Sequence, residues 1–196
     1  MSFLIRPGTE ADISGCDAID RSFPSDRVLI IDVAVAAPEH NVSLRLRQVK
    51  PSGSRRTHEM GEAEFRKAIS EAAMFWVGET AEQVRGYLIF KTWDWQRLVG
   101  EISYIAVDRP YHRAGIGTAL VEAAKGYAAT MGLRAIMWET QTDNLEAIEF
   151  ALSRGFVLGG YHAYFYENDG FSGQTGTDFI GMALFLSWPN PQFTQH

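Results

Sequence analysis

Arg109-Pro110-Tyr111-His112-Arg113-Ala114-Gly115-Ile116-Gly117-Thr118 separates an apolar, strand-like stretch, Ile102 to Val107, from an apolar, helix-like one, Ala119 to Met131. A strand that ends in a glycine-rich turn and opens a helix aims free backbone N–H groups and the positive end of a helix dipole at one point. That point is an anion site, best suited to phosphate. Two common phosphate loops do not fit. Leu120 stands where the third glycine of G-x-G-x-x-G belongs, and no lysine follows Gly117 as a P-loop requires. The glycine pair also suits a plain loop-to-helix turn, so its neighbours decide the reading.

Working outward, Phe75 to Glu79 and Gly86 to Phe90 read as strands joined by a polar turn at Thr80 to Val84, and Glu101 to Val107 follows as a third strand after Trp93-Asp94-Trp95. Short turns between consecutive strands predict an antiparallel meander. The helix from Gly115 to Met131, closed by Gly132, then delivers Ala135 to Thr140 as a parallel partner. Ile116, Leu120, Ala123, Ala124, Tyr127 and Met131 form the buried stripe of that helix. A second helix, Leu145 to Arg154, leads to strands over Phe156 to Tyr166 and Phe179 to Leu186. Upstream, Phe3 to Arg6 reads as a strand, Thr9 to Asp12 as a capping box for a helix over Ala11 to Asp20, and Glu62 to Ala73 as a further helix. Val28 to Val35 and Val42 to Val49 are β-prone, with Val42, Leu44 and Leu46 alternating with polar residues, and Lys50 to His58 reads as a polar connection.

The chain has 196 residues, 46% apolar and 21% charged, which predicts a single soluble domain over 1–196. The N-terminus lacks the pattern of a signal peptide, no apolar run reaches membrane-spanning length, and the single cysteine, Cys16, excludes an internal disulfide. A cytoplasmic protein is expected, with Cys16 packed as a small hydrophobe. The net charge of -6 argues against nucleic-acid binding and favours a cationic partner.

His112 to Gly117 resembles the pyrophosphate motif of the GNAT superfamily of acetyl-CoA-dependent N-acetyltransferases, [Gln/Arg]-x-x-Gly-x-[Gly/Ala], with His112 as a departure at the first position. Trp138-Glu139-Thr140-Gln141-Thr142-Asp143-Asn144, followed by Ala147, Phe150, Gly155-Phe156 and Gly159-Gly160, is similar to the second half of the same cofactor-binding core. From Glu139 through Gly160, with Tyr164 and Tyr166 beyond, the segment resembles the streptothricin acetyltransferase branch. The resemblance spans Tyr87 to Tyr166 and is looser outside.

The resemblance implies an α+β fold: a mixed, mostly antiparallel central sheet with helices on both faces and two parallel strands that splay apart. The splayed ends would be Ile105, Ala106 and Val107 on one strand and Glu139 and Thr140 on the other, with the pantetheine arm of acetyl-CoA between them. It also implies a pyrophosphate site on Arg113, Ala114, Gly115, Ile116, Gly117 and Thr118 beside His112, cofactor contacts from Asn144, Ala147 and Phe150, and a variable, substrate-facing region over 28–58.

Acetyl transfer to an amine needs a neutral amine, a polarised thioester carbonyl and a route for the proton to leave. Backbone N–H groups near Val107 suit the second need, and a carboxylate made more basic by partial burial suits the first. Glu139 is the base candidate, matching the glutamate that some N-terminal protein acetyltransferases carry at this strand end. Its alternative is a solvated strand-end carboxylate or a partner for Gln141. Glu101, on the same face as Ser103, is its competitor, because neither Ser103 nor Tyr104 is the acid that the family often places there.

After Phe150 the family usually has a tyrosine that protonates the leaving thiolate. Here Ala151 takes its place. Tyr164, with Tyr161 or Tyr104 as alternatives, is expected to take over the proton, or the thiolate leaves unassisted. Trp93, Trp95, Tyr161 and Tyr164 either frame a cationic substrate or simply pack. His112 and His162 lack companions at ligand spacing, so no metal is expected.

The expected function is an N-acetyltransferase acting directly on a primary amine of a small cationic molecule, such as a streptothricin-like antibiotic. Acetylation of a protein or peptide, and non-catalytic binding of acetyl-CoA, are its rivals. A homodimer is compatible with any of these.

Overall fold

The computed structural model describes residues 2–36, 39–48, 54–57, 60–93, 96–166 and 181–193. In chain order the first elements are β1 (Leu4–Pro7), α1 (Ile13–Asp17), β2 (Ser22–Pro24), β3 (Arg27–Ala36), β4 (Glu39–Gln48), β5 (Arg55–Thr57) and α2 (Glu62–Ser70). There follow β6 (Met74–Thr80), β7 (Gln83–Trp93), β8 (Gln96–Val107), α3 (Ile116–Thr130), β9 (Ala135–Gln141), α4 (Leu145–Ser153), β10 (Val157–His162) and β11 (Ala183–Pro189). The main sheet has seven strands in the order β1-β6-β7-β8-β9-β11-β10. Its neighbours are antiparallel except β8 and β9, which are parallel because α3 crosses over between them.

Strand alternation sorts the sheet into two cores. Leu88 and Phe90 of β7 pack with Ile116, Leu120 and Ala124 of α3 and Ile148 and Ala151 of α4. Tyr87 and Ile89, the intervening residues, pack with Ile13 and Cys16 of α1 and Phe65 and Ala68 of α2. Helices therefore cover both faces. Cys16 is fully buried and burial pushes its thiol up to about 12, so it packs as a hydrophobe.

Several elements differ from their sequence-based bounds. The helix expected over Ala11 to Asp20 is a 3-10 turn, Glu10–Asp12, followed by the five residues of α1. The chain tightens at its end, where the Ala18 and Ile19 N–H groups reach back to Ser14 and Cys16 at 3.2 and 3.3 Å. The polar connection after β4 contains β5, which pairs with β2; positions 50–53, 58 and 59 lie outside the described residues. The strand expected over Phe156 to Tyr166 ends at His162, and a turn follows. Beyond it, Phe179 lies outside the described residues, and β11 begins at Ala183. β3 and β4 form a separate hairpin, held at its base by the Leu29 N–H bond to the Thr142 carbonyl at 2.9 Å. Among the described residues no helix is long and apolar enough to cross a membrane.

Candidate active site

The site begins where two strands part. β8 and β9 pair from Val99 with Ala135 to Ile102 with Trp138, and their ladder ends there. At the same point β8 carries a bulge. Ile89 pairs with Tyr104 but Phe90 with Ile102, so Ser103 is an extra residue on β8. A bulge bends the strand that holds it, here away from β9. β7 still holds β8 as far as Val107, and β11 still holds β9 as far as Gln141. A cleft of about 960 Å³ opens between them, with backbone groups of Ser103 to Val107 and of Glu139 to Gln141 along its edges.

On the face of α3 and α4 the cleft meets the glycine turn. Gly115 is the N-cap of α3 with φ +94, a left-handed conformation that strains any residue with a Cβ. Arg113 is also left-handed, at φ +62. Residues alternating through this region curl successive N–H groups into an anion-binding nest. The first intrahelical bond runs from the Ala119 N–H to the Gly115 carbonyl at 3.0 Å, and no side chain caps the helix. The N–H groups of Ile116, Gly117 and Thr118 are thus left without intrahelical partners. A Cβ on Gly117 would stand 3.3 Å from Phe150 and 3.5 Å from Val107, inside the cleft. This chemistry fits a pyrophosphate approached closely by backbone, and the unladdered edges of β8 and β9 fit an extended amide-bearing arm.

Two further features brace this face. His112 Nε2 donates to the Val107 carbonyl at 2.9 Å, so that nitrogen carries the proton and ties the turn to the end of β8. Asn144 Oδ1 accepts the Ala147 N–H at 3.2 Å and caps α4.

The opposite face is side-chain chemistry. Trp138 belongs to the core under α3, so alternation along β9 turns Glu139 the other way, toward the α1 and α2 side. Glu139 is half-buried. Burial raises its carboxyl above the usual range, the Tyr166 hydroxyl opposes that by donating to it, and the nearby Glu101 charge adds to the rise. Burial likewise raises the Tyr166 hydroxyl. Glu101 accepts from the Trp93 indole N–H. Tyr104, raised first by burial, donates to Glu64 at 3.2 Å. Asp20 and Phe23, from the connection around β2, complete the wall.

The cleft brings together Ile105, Ala106, Val107, His112, Arg113, Gly115, Ile116, Gly117, Thr118, Asn144, Ala147, Phe150 and Glu139. Ala114 stands beside it without lining it. Tyr164 is placed elsewhere: it is 90% exposed and outside the cleft, because the turn after His162 breaks the alternation that would put it on the face of Tyr166. Tyr161 is also outside, on edge strand β10, whereas Tyr104 lines the cleft. Trp95 lies outside the described residues. Sequence reasoning missed Tyr166 as a partner of Glu139, although both residues stand in the resembling segment. It also missed Arg56, which reaches from β5 to the buried Asp143 at 2.9 Å and pins β5 beside Asn144. Among the described residues there is no group of three or more His, Cys, Asp or Glu that could hold a metal ion.

Comparison with known proteins agrees with this geometry. The model of the Acetyltransferase (GNAT) family matches residues 42–156. The chain is 34% identical to streptothricin acetyltransferase of Escherichia coli over 69 residues, which make up 35% of this chain and 40% of that protein. The aligned stretch thus spans two fifths of the length of that relative. Solved folds extend the likeness to the whole chain. Nourseothricin acetyltransferase superposes with a TM-score of 0.75 at 21% identity, over 97% of this chain and 100% of the other. A Bacillus anthracis str. Ames protein with the provisional name streptothricin acetyltransferase, in complex with acetyl coenzyme A, gives 0.75 at 23% identity, over 96% and 99%. With the family match extending through the parted strands, the glycine turn and α4, the chain belongs to the GNAT acetyltransferase family.

Proposed function

We propose that this protein is an N-acetyltransferase that moves acetyl from acetyl-CoA directly to a primary amine of a small cationic molecule, with streptothricin-like antibiotics the first class to test. The observation that carries the reading is the gap between β8 and β9, which has a backbone anion cradle at one face and a half-buried glutamate at the other. When bound, acetyl-CoA supplies an activated acetyl thioester. The N–H groups of Ile116, Gly117 and Thr118, with Gly115 and Arg113 beside them, would hold the pyrophosphate. The open edges of β8 and β9 would pair with the pantetheine arm, and Ala147 and Phe150 would flank it.

The work of this chain's residues is then to orient the reactants and to take the first proton; as the new C–N bond forms and the C–S bond breaks, the second proton of the attacking nitrogen would pass to the departing CoA thiolate. Backbone N–H groups near Val107 orient the carbonyl. Glu139 accepts the proton from the ammonium and so makes the amine nucleophilic; burial raises its affinity for protons above that of an ordinary glutamate, the direction such a base needs. Asp20, Glu101 and Glu139 line the wall opposite the cradle, where Arg21 and Lys91 pair with Asp17 and Glu71, and so favour a cationic acceptor; 28–58, held at β5 beside that wall by the Arg56–Asp143 pair, would shape its selectivity.

Binding of acetyl-CoA without turnover is the reading from another class, favoured by Ala151, a fully buried residue with no proton to donate. Calorimetry with acetyl-CoA and a thiol-release assay against streptothricin, polyamines and lysine-bearing peptides separate the readings. Binding with release on an antibiotic or a polyamine supports the proposal. Release on peptides alone moves the function to protein acetylation. Binding with no release on any amine leaves the module.

A further inference from the structure

Tyr166 stands four positions past the end of β10, yet its hydroxyl crosses to β9 and donates to Glu139. Phe165 anchors the turn beneath it by stacking edge-on against Phe185 of β11 at 5.7 Å and against Tyr166 at 5.2 Å. The groups facing Glu139 are few. Glu101 approaches from β8, Gln141 lies two residues along the same strand face and bonds Tyr166, and Asp143 acts on Tyr166 from the loop after β9. The cations that line this wall are engaged elsewhere: Arg21 reaches Asp17 at 3.2 Å and Lys91 reaches Glu71 at 2.8 Å, while Arg56, behind the wall, reaches Asp143 at 2.9 Å. Burial and Glu101 both disfavour charge on Glu139, and of the described groups that act on it Tyr166 is the one that favours charge.

We infer that Tyr166 is a positioning residue: its hydroxyl, brought across from beyond β10, fixes the Glu139 carboxylate on the acceptor side of the gap, aimed at the proton of the incoming ammonium. The catalytic part of this inference rests on the proposed role of Glu139 as base. A hydrogen bond to the charged form of a carboxyl favours that form, so its loss makes proton uptake easier. A tyrosine that merely closed the turn would leave the titration of Glu139 where it is.

The test compares wild type, Tyr166→Phe and Glu139→Gln in two measurements. NMR titration of glutamate side-chain carboxyls needs no acceptor; the resonance missing in Glu139→Gln identifies Glu139, and its midpoint should rise by about one pH unit in Tyr166→Phe. In parallel, the acid limb of kcat/KM for streptothricin acetylation should move up by the same amount, while the plateau at higher pH falls less than about tenfold. Unchanged acetyl-CoA affinity by calorimetry certifies the fold of Tyr166→Phe. An unmoved Glu139 midpoint overturns the inference even if the rate drops, and leaves the base assignment standing. An acid limb that persists in Glu139→Gln overturns the base assignment and, with it, the catalytic part of the inference.

Discussion

The two faces of the cleft are made differently. The face under α3 and α4 is assembled from one contiguous stretch, Ile102 to Phe156, and what it offers a ligand is mainly backbone: unpaired N–H groups at the start of α3 and unladdered edges on β8 and β9. The face toward α1 and α2 is assembled from side chains of distant segments, with Phe23 from β2, Glu101 from β8, Glu139 from β9 and Tyr166 from beyond β10. Backbone donors tolerate any sequence that keeps the conformation, whereas side-chain constellations change with single substitutions. The first face suits a ligand shared by a whole family and the second suits an acceptor particular to each member.

The largest expected effect breaks the second face without touching the first. Glu139→Gln keeps the shape but removes the proposed base, and should lower kcat by about 10²- to 10⁴-fold in steady-state assays while calorimetry shows acetyl-CoA affinity intact. A full rate in this variant together with a crippled Glu101→Gln would move the base to β8. Because burial raises the Glu139 carboxyl, and the base must be deprotonated to act, activity should fall as pH drops through a midpoint above that of an ordinary glutamate.

The converse breaks the first face alone. Gly117→Val puts methyl groups where even a Cβ lies 3.3 Å from Phe150, and should weaken acetyl-CoA binding by roughly 10²-fold or more in calorimetry with little change in melting temperature. Gly115→Val adds backbone strain of about 1–3 kcal/mol at φ +94, so it should lower both affinity and stability.

A third substitution sharpens the comparison at the boundary between core and cleft. Ala151 is fully buried in the cluster with Trp138 and Ile148, so Ala151→Tyr must displace packed neighbours and should cost about 1–3 kcal/mol of stability in denaturant unfolding. If the variant melts as wild type and turns over faster, the pocket accommodates the missing proton donor after all.

The smallest effect on activity lies away from both faces. Asp12 pairs with Arg6 at 2.7 Å, and the guanidinium holds its carboxyl at about 2, below the usual aspartate range. A depressed carboxyl stabilises the fold above its unfolded value and loses that contribution as pH falls through the folded one. About 2 kcal/mol should therefore disappear between roughly pH 4 and pH 2, a loss that Asp12→Asn abolishes in acid unfolding curves without altering turnover near neutral pH.

The contrast between the faces also divides what was legible. The helix over 115–131, its parallel partner at 135–140 and the helix over 145–154 are local patterns, and the structure places each within a residue of its expected bounds, whereas the strand expected over 101–107 ends at Val107 as expected but begins five residues earlier, at Gln96. Glu139 was reachable from its strand end. Pattern alone does not distinguish Tyr166 from Tyr164, because a single strand over 156–166 gives both tyrosines the same face, and only the turn after His162 separates them.

The sequence by itself therefore determined the glycine turn that opens α3, the strand meander with its parallel partner around that turn, and the family, since each depends on spacing within a few residues. The tertiary structure alone decided how far β8 and β9 part, which aromatic hydroxyl meets Glu139, and that Arg56 ties β5 to Asp143. Those contacts join residues 27 to 87 positions apart, and pairings of that kind are set by how whole elements pack rather than by any local preference of the chain.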